Sequence, residues 1–174
     1  MNKTSKTLVA YFSRPDENYN VGTVEVGNTE LLAKEIIAKT GADEFKIAPV
    51  NPYPADYQEA VDQATKEQSS QARPEYVGDI DTSGYDTIFL GYPIWWGDLP
   101  MVVYNFVEKH DWTGKTVIPF NTHEGSGESG TYSYIENKLT SANVNTDGLA
   151  IRGVTARQES SRSTVESWLK KLNY

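Results

Sequence analysis

The sequence predicts an α/β domain built on a parallel sheet, and three observations carry that prediction. Short apolar runs alternate with segments of helical periodicity, and parallel neighbours need such helical crossovers. The runs are continuously apolar, as strands buried on both faces are. The 174 residues amount to one ordinary domain, so residues 1–174 are expected to share a single core.

Taken in order, strands are expected at Thr7–Phe12, Asp43–Ile47, Thr87–Tyr92, Thr116–Asn121 and Leu149–Gly153, each rich in Val, Ile, Leu, Phe or Tyr. Helices are expected from about Asn28 to Thr40, within Ala55–Ser69, at Met101–Lys109, at Thr131–Leu139 and at Ser161–Leu172. The first helix sets Leu31, Leu32, Ile36 and Ile37 against charges on the opposite face, and Gly41 follows Thr40 as a C-terminal stop. The last sets Val165, Trp168, Leu169 and Leu172 on one stripe, the face that docks on the sheet. Two stretches fall outside the repeating units: the polar Arg14–Val26 after the first strand, and Gln68–Ser83 before the third.

Composition removes several chemistries. There is no cysteine, which excludes disulfides, thiolate metal sites and cysteine nucleophiles, and the two histidines, His110 and His123, are too few for a multi-histidine metal centre. The formal charge of −8 argues against nucleic acid or an anionic membrane as partner. No apolar run approaches the ~18 residues of a membrane span. The lysine-bearing start, Met1 to Thr7, is followed by an apolar run, Leu8 to Phe12, too short for a secretory signal, so a cytoplasmic protein is expected.

In open parallel sheets ligands bind beyond the C-terminal strand ends, which singles out the loops after strands one, three and four. The first runs from Ser13-Arg14 to Gly27-Asn28-Thr29, where helix amides, a glycine and two hydroxyls suit a phosphate; an ordinary helix cap is the plainer alternative. No Walker A loop and no Gly-x-Gly-x-x-Gly is present. The second loop, Pro93-Ile94-Trp95-Trp96-Gly97-Asp98, offers two adjacent indoles as a rigid wall for a planar ligand, or as a cap on the sheet end. The third, Thr122-His123-Glu124-Gly125-Ser126-Gly127, offers amides and hydroxyls with little bulk, suited to a polar heterocycle. A Ser-His-Asp triad finds no support, because Glu124-Gly125-Ser126-Gly127 is no nucleophile elbow. Asp79, Asp81 and Asp86 read as a solvated face.

Together the three loops resemble those of the flavodoxin family. Tyr11-Phe12-Ser13 with Gly27-Asn28-Thr29 is similar to that family's phosphate loop, and Trp96-Gly97-Asp98 to its Trp-Gly-Asp. The resemblance implies a three-layer sandwich with five parallel strands in the order 2-1-3-4-5, of the short-chain type with an enlarged phosphate loop. It implies FMN as cofactor, held by the residues of the three loops. Single-electron transfer would be the function, between redox partners with basic docking surfaces, by a monomer or weakly associating dimer. Trp96 is the expected stacking ring from its Gly-Asp context, and the Gly97–Asp98 peptide is expected to turn its carbonyl toward the flavin N5–H. Asp98, Glu124 and Glu128 would oppose added negative charge and lower the potential of full reduction.

There are departures. The insertion splits the phosphate loop and puts Val26 where a hydroxyl is expected, and the third loop has no tyrosine for the second flavin face. An open face, or one covered by His123, Glu124 or Tyr19, would also suit an FMN-dependent NAD(P)H:quinone or nitro reductase. A binding module without flavin is the third alternative.

Overall fold

The computed structural model describes residues 5–174, so the first four residues of the lysine-bearing start lie outside it. Strands form where the apolar runs predict them: β1 (Thr7–Tyr11), β4 (Asp43–Lys46), β5 (Thr87–Pro93), β6 (Thr116–His123) and β8 (Leu149–Arg152). Two more, β2 (Asp16–Asn18) and β3 (Gly22–Val24), pair antiparallel as a hairpin inside the Arg14–Val26 insertion, and β7 (Asn143–Val144) precedes β8. All pairings of the main sheet are parallel, in the order β4-β1-β5-β6 with β7 and β8 both alongside β6. The expected order 2-1-3-4-5 is therefore present.

The fifth position differs from the single strand expected. It is shared by β7, which pairs with Thr116 and Val117, and β8, which pairs with Phe120 to His123. Between them the Asn145 side chain accepts the Asp147 N–H at 3.0 Å, a local turn that lifts the chain off the sheet. It returns at Gly148, where a Cβ would overlap the Tyr132 ring.

Helices cover both faces. α2 (Tyr57–Ser70), α3 (Met101–Lys109) and α4 (Thr131–Lys138) lie over a core that includes Leu8, Phe12, Ile88, Leu90 and Phe106. On the other face α1 (Asn28–Thr40), the short α5 (Gly153–Ala156) and α6 (Ser160–Lys171) bury Leu32, Ile36, Val165, Trp168 and Leu169 against Val9, Tyr11, Phe89 and Ile118. α1 ends as expected: Gly41 takes a left-handed conformation (φ 69°) and its N–H bonds Ile37 O at 2.8 Å. Among the described residues no helix is long and apolar enough to cross a membrane.

The Gln68–Ser83 stretch runs beside residues 48–50, with Val50 N bonded to Glu75 O at 2.8 Å and Val77 N to Ala48 O at 2.7 Å. Its acidic groups do structural work beyond facing solvent. Asp79 accepts from Tyr76 Oη (3.3 Å) and pairs with His110 Nε2 (2.9 Å), while Asp81 accepts the Ser83 N–H at 2.9 Å.

Candidate functional site

The loops after β1, β5 and β6 meet at the C-terminal edge of the sheet. The chain leaves β1 through Phe12, whose N–H bonds Gly91 O at 3.0 Å, and this places Ser13 beside the start of α1. The Ser13 hydroxyl accepts the Glu30 N–H at 3.0 Å, capping the helix from outside because Gly27 has no side chain to do so. Its own proton stays available. The amides of Asn28 and Thr29, first in α1, have no acceptor within the helix. Gly27 is required by contact, since a Cβ there would overlap Ser13 Oγ and the Arg14 carbonyl.

Arg14 is buried (7% exposed) and works as a tether. Its Nη1 donates to Glu17 O and its Nη2 to Pro54 O (2.7 Å) and Ala55 O (3.0 Å), joining the β2–β3 hairpin to the segment that enters α2. The buried Nε has no hydrogen-bond partner. Burial pulls the guanidinium pKa down, opposed by the nearby Asp16 and Glu17 carboxylates.

In the second loop, Trp95 and Asp98 exchange backbone bonds of 2.9 and 3.1 Å around Trp96 and Gly97, both at positive φ (52° and 71°), the pattern of a type I′ turn. Such backbone is uncommon for a bulky residue and directs the two indoles apart. Trp95 turns inward, edge-on to Phe12 (5.2 Å) and Tyr53 (4.8 Å), while Trp96 is 61% exposed. Asp98 is committed to structure, accepting from Tyr104 Oη and Leu99 N, both at 2.7 Å.

The third loop is pinned at both ends. Thr122 and Thr29 hydroxyls share a buried 2.7 Å hydrogen bond, and Asn121 Nδ2 donates to Gly127 O at 3.1 Å. His123 Nδ1 accepts the Gly125 N–H at 2.9 Å, so in the neutral ring Nε2 carries the proton. Burial, with the positive Arg152 nearby, lowers its pKa and favours that neutral form. Glu124 reaches back to the hairpin, accepting from Asn20 Nδ2 at 3.4 Å, and burial raises its pKa. Glu128 is spent on α4, taking the Tyr132 N–H at 3.2 Å.

These segments enclose a cavity of about 110 Å³. Of the residues expected at the site, Ser13, Arg14, Asn28, Thr29, Pro93, Ile94, Trp95, Thr122, His123 and Glu124 line it. Gly27 shapes it from behind, whereas Trp96, Gly97, Asp98, Gly125, Ser126 and Gly127 are not on its wall. Trp96, the ring expected to stack from its Gly-Asp context, lies outside this cavity and lines the adjoining groove, whereas Trp95 lines both. Asn18, Tyr19 and Tyr57 also line the cavity. Tyr19 is one of the residues expected to cover an open face; Tyr57 carries no signal beyond its place in the helix expected within Ala55–Ser69.

A pH dependence follows from Glu124. Its folded pKa is raised, so its contribution to stability is present below the ordinary glutamate range and is lost as pH rises through the folded value. Glu124→Gln should therefore melt higher than wild type near neutral pH and gain nothing near about pH 4. Equal gains at both pH values in thermal melts would show that burial of the charge is not the cause.

The donor set fits a phosphate-bearing group. One buried guanidinium nitrogen is orphaned, two helix amides and a serine hydroxyl are free to donate, and glycine is the residue that leaves room. The family model described as Flavodoxin matches residues 6–172. Among solved structures, a putative flavoprotein from Bacteroides uniformis is 30% identical over 95% of this chain and 98% of its own, with a TM-score of 0.73. One from Bacteroides eggerthii is 28% identical over 98% and 99%, with a TM-score of 0.76. A Lactobacillus acidophilus flavoprotein, solved in complex with FMN, shares the fold at 21% identity over 94% and 98%, with a TM-score of 0.67. A search of curated proteins finds no match.

Proposed function

The chain belongs to the flavodoxin family, and from that premise we propose that it binds FMN and transfers electrons singly between redox partners. The observation that carries the reading is the cavity at the α1 N-terminus, with its free donors and its orphaned Arg14 Nε. FMN, when bound, supplies a ring that accepts and releases electrons. The chain's residues hold and orient it: Ser13 Oγ–H and the Asn28 and Thr29 amides donate to the phosphate, and Arg14 adds positive charge beneath them. Asn28 is itself fixed, its Oδ1 accepting from Arg157 Nη1 at 3.1 Å. Trp95 and Ile94 wall the entrance and exclude water from it. The neutral His123 offers a donor without opposing the negative rim. Turning the Gly97–Asp98 peptide would give up the 3.1 Å bond from Asp98 N to Trp95 O, a cost of about 1 kcal/mol.

FMN should therefore bind more tightly than riboflavin, by roughly tenfold or more, because only FMN engages the charge-assisted donors. Fluorescence quenching of each flavin checks this, and equal affinities would remove the phosphate from the site. The two indoles separate in the same assay. Trp95→Ala should cost about 1–3 kcal/mol of FMN affinity and also lower the melting temperature. Trp96→Ala, at an exposed position, should change stability by less than about 0.5 kcal/mol and affinity less than Trp95→Ala does. The opposite ranking would place the ring on the outer indole.

A second reading, an FMN-dependent NAD(P)H:quinone or nitro reductase in the cytoplasm, draws support from the exposed Trp96 and the open space beside it. Steady turnover of NADH or NADPH with a quinone, above the rate of free flavin, separates it from a carrier. For the carrier, the acidic surface (net charge −8) suits docking to basic partner proteins, by a monomer or weak dimer.

A further inference from the structure

The arginines of this acidic chain are not placed alike. Arg73 and Arg162 are neutralised by ion pairs, with Glu108 at 2.8 Å and with Glu35 at 3.2 Å. Arg14, Arg152 and Arg157 make no ion pair among the described residues, and each reaches residues that form the cofactor cavity. The charge of Arg14 is offset by the nearby Asp16 and Glu17 carboxylates, and that of Arg152 acts on His123 and Glu124. Arg157 has neutral partners only. Its Nη1 donates to Val26 O at 2.9 Å and to Asn28 Oδ1 at 3.1 Å, while Nη2 and Nε donate to no group among the described residues.

The guanidinium is thereby held against the start of α1, because Val26 and Asn28 flank Gly27, which precedes the helix. Its backbone is fixed from the other side. α5 packs directly on the site: a Cβ at Gly153 would overlap Asn28 Nδ2 and Glu124 Oε1. Arg157 follows α5 in helical conformation, and the next turns are closed by Gln158 N to Thr155 O at 3.0 Å and by Ser161 Oγ to Ala156 O at 3.3 Å.

A phosphate monoester near neutral pH carries close to two negative charges, and the donors at the site, Ser13 Oγ–H and the Asn28 and Thr29 amides, are neutral dipoles. The cavity also contains the Glu124 carboxyl, in a chain of net charge −8. An anion entering it therefore needs a cation that no carboxylate already holds. From the placement of Arg157 across the start of α1, we infer that this residue is the counter-charge of the cofactor phosphate and sets the preference for a phosphorylated flavin. It is a contributor from outside the three loops, carried by the turn between α5 and α6. The inference rests on the FMN reading above.

The test measures FMN and riboflavin affinities of the full chain at low and high salt for wild type, Arg157→Gln, Arg157→Lys and, as a control for net charge, Arg162→Gln. Arg157→Gln should weaken FMN by about tenfold at low salt and riboflavin by less than about twofold. Wild-type FMN affinity should fall as salt rises from about 50 to 500 mM, and Arg157→Gln should lose most of that dependence, because an exposed charge is screened by salt. Arg157→Lys keeps the charge and should recover most of the FMN affinity, and Arg162→Gln should stay within about twofold of wild type. Inorganic phosphate, against chloride at equal ionic strength, should raise the melting temperature of the flavin-free chain, and Arg157→Gln should lose most of that gain. FMN affinity unchanged in Arg157→Gln, or a parallel loss for both flavins, would overturn the inference. So would a loss that salt does not alter and lysine does not recover, which would make Arg157 a clamp on Val26 and Asn28 only. If wild type binds neither flavin while the gain from phosphate still depends on Arg157, the charge assignment stands and the cofactor reading falls. If FMN binds wild type and Arg157→Gln alike, the cofactor reading stands and the assignment falls.

Discussion

Gly27→Ala should weaken FMN binding by roughly 30- to 100-fold, about 2–3 kcal/mol, the cost of forcing a methyl group into a closed contact. The added Cβ would overlap both Ser13 Oγ and the Arg14 carbonyl. Because Gly27 sits at φ −67°, ψ 160°, which alanine adopts freely, the effect would be one of space and not of backbone strain. The overlap can be relieved by moving Ser13 outward, which breaks its 3.0 Å bond from Glu30 N, or by shifting the start of α1. Both movements displace the same donors proposed to hold the phosphate. Riboflavin, which does not use them, should lose far less, so the ratio of the two affinities measures the damage. A parallel loss for both flavins would mean the whole sheet edge had shifted.

This position illustrates how much was legible in the sequence. The five apolar runs stand out because strands buried on both faces admit few polar residues, and the three loops because their composition is unusual for connections. The hairpin β2–β3 is less legible, since Asp16-Glu17-Asn18 has the composition of a turn; it forms because Asn20 and Gly22 accept positive φ (62° and 75°) and Arg14 ties its base to the neighbouring segment. Adjacent tryptophans must point apart, but which turns inward depends on the turn type, and Trp96 at positive φ is not a residue whose identity announces that conformation. Tyr57 enters the site only through the packing of α2 against the hairpin, a contact between segments far apart in the chain. The split of the fifth strand rests on the Asn145–Asp147 turn, which an otherwise polar stretch conceals.

Arg14 is also where a sequence reading and the structure assign different work to one residue. A phosphate-loop arginine reads as a ligand for the anion, yet its Nη atoms face the protein, and only Nε is unspent. Arg14→Met keeps the length and apolar stem but removes every donor, leaving the Glu17, Pro54 and Ala55 carbonyls without this partner. With water free to reach part of the opened segment, the expected loss is about 3 kcal/mol of folding stability, or roughly 6–12 °C in melting temperature for a domain of this size. Arg14→Lys should recover only a minor part, since one ammonium cannot span carbonyls that the planar guanidinium reaches together. The hairpin would come free of the α2 entry, carrying away Asn18 and Tyr19, so FMN affinity should fall as well. Thermal melts of both variants with and without FMN resolve the two roles. A stability loss unchanged by FMN, together with weaker binding, fits a tether that shapes the site. Normal stability with lost FMN binding would instead make Arg14 a direct phosphate ligand, and the carbonyl contacts incidental to its work.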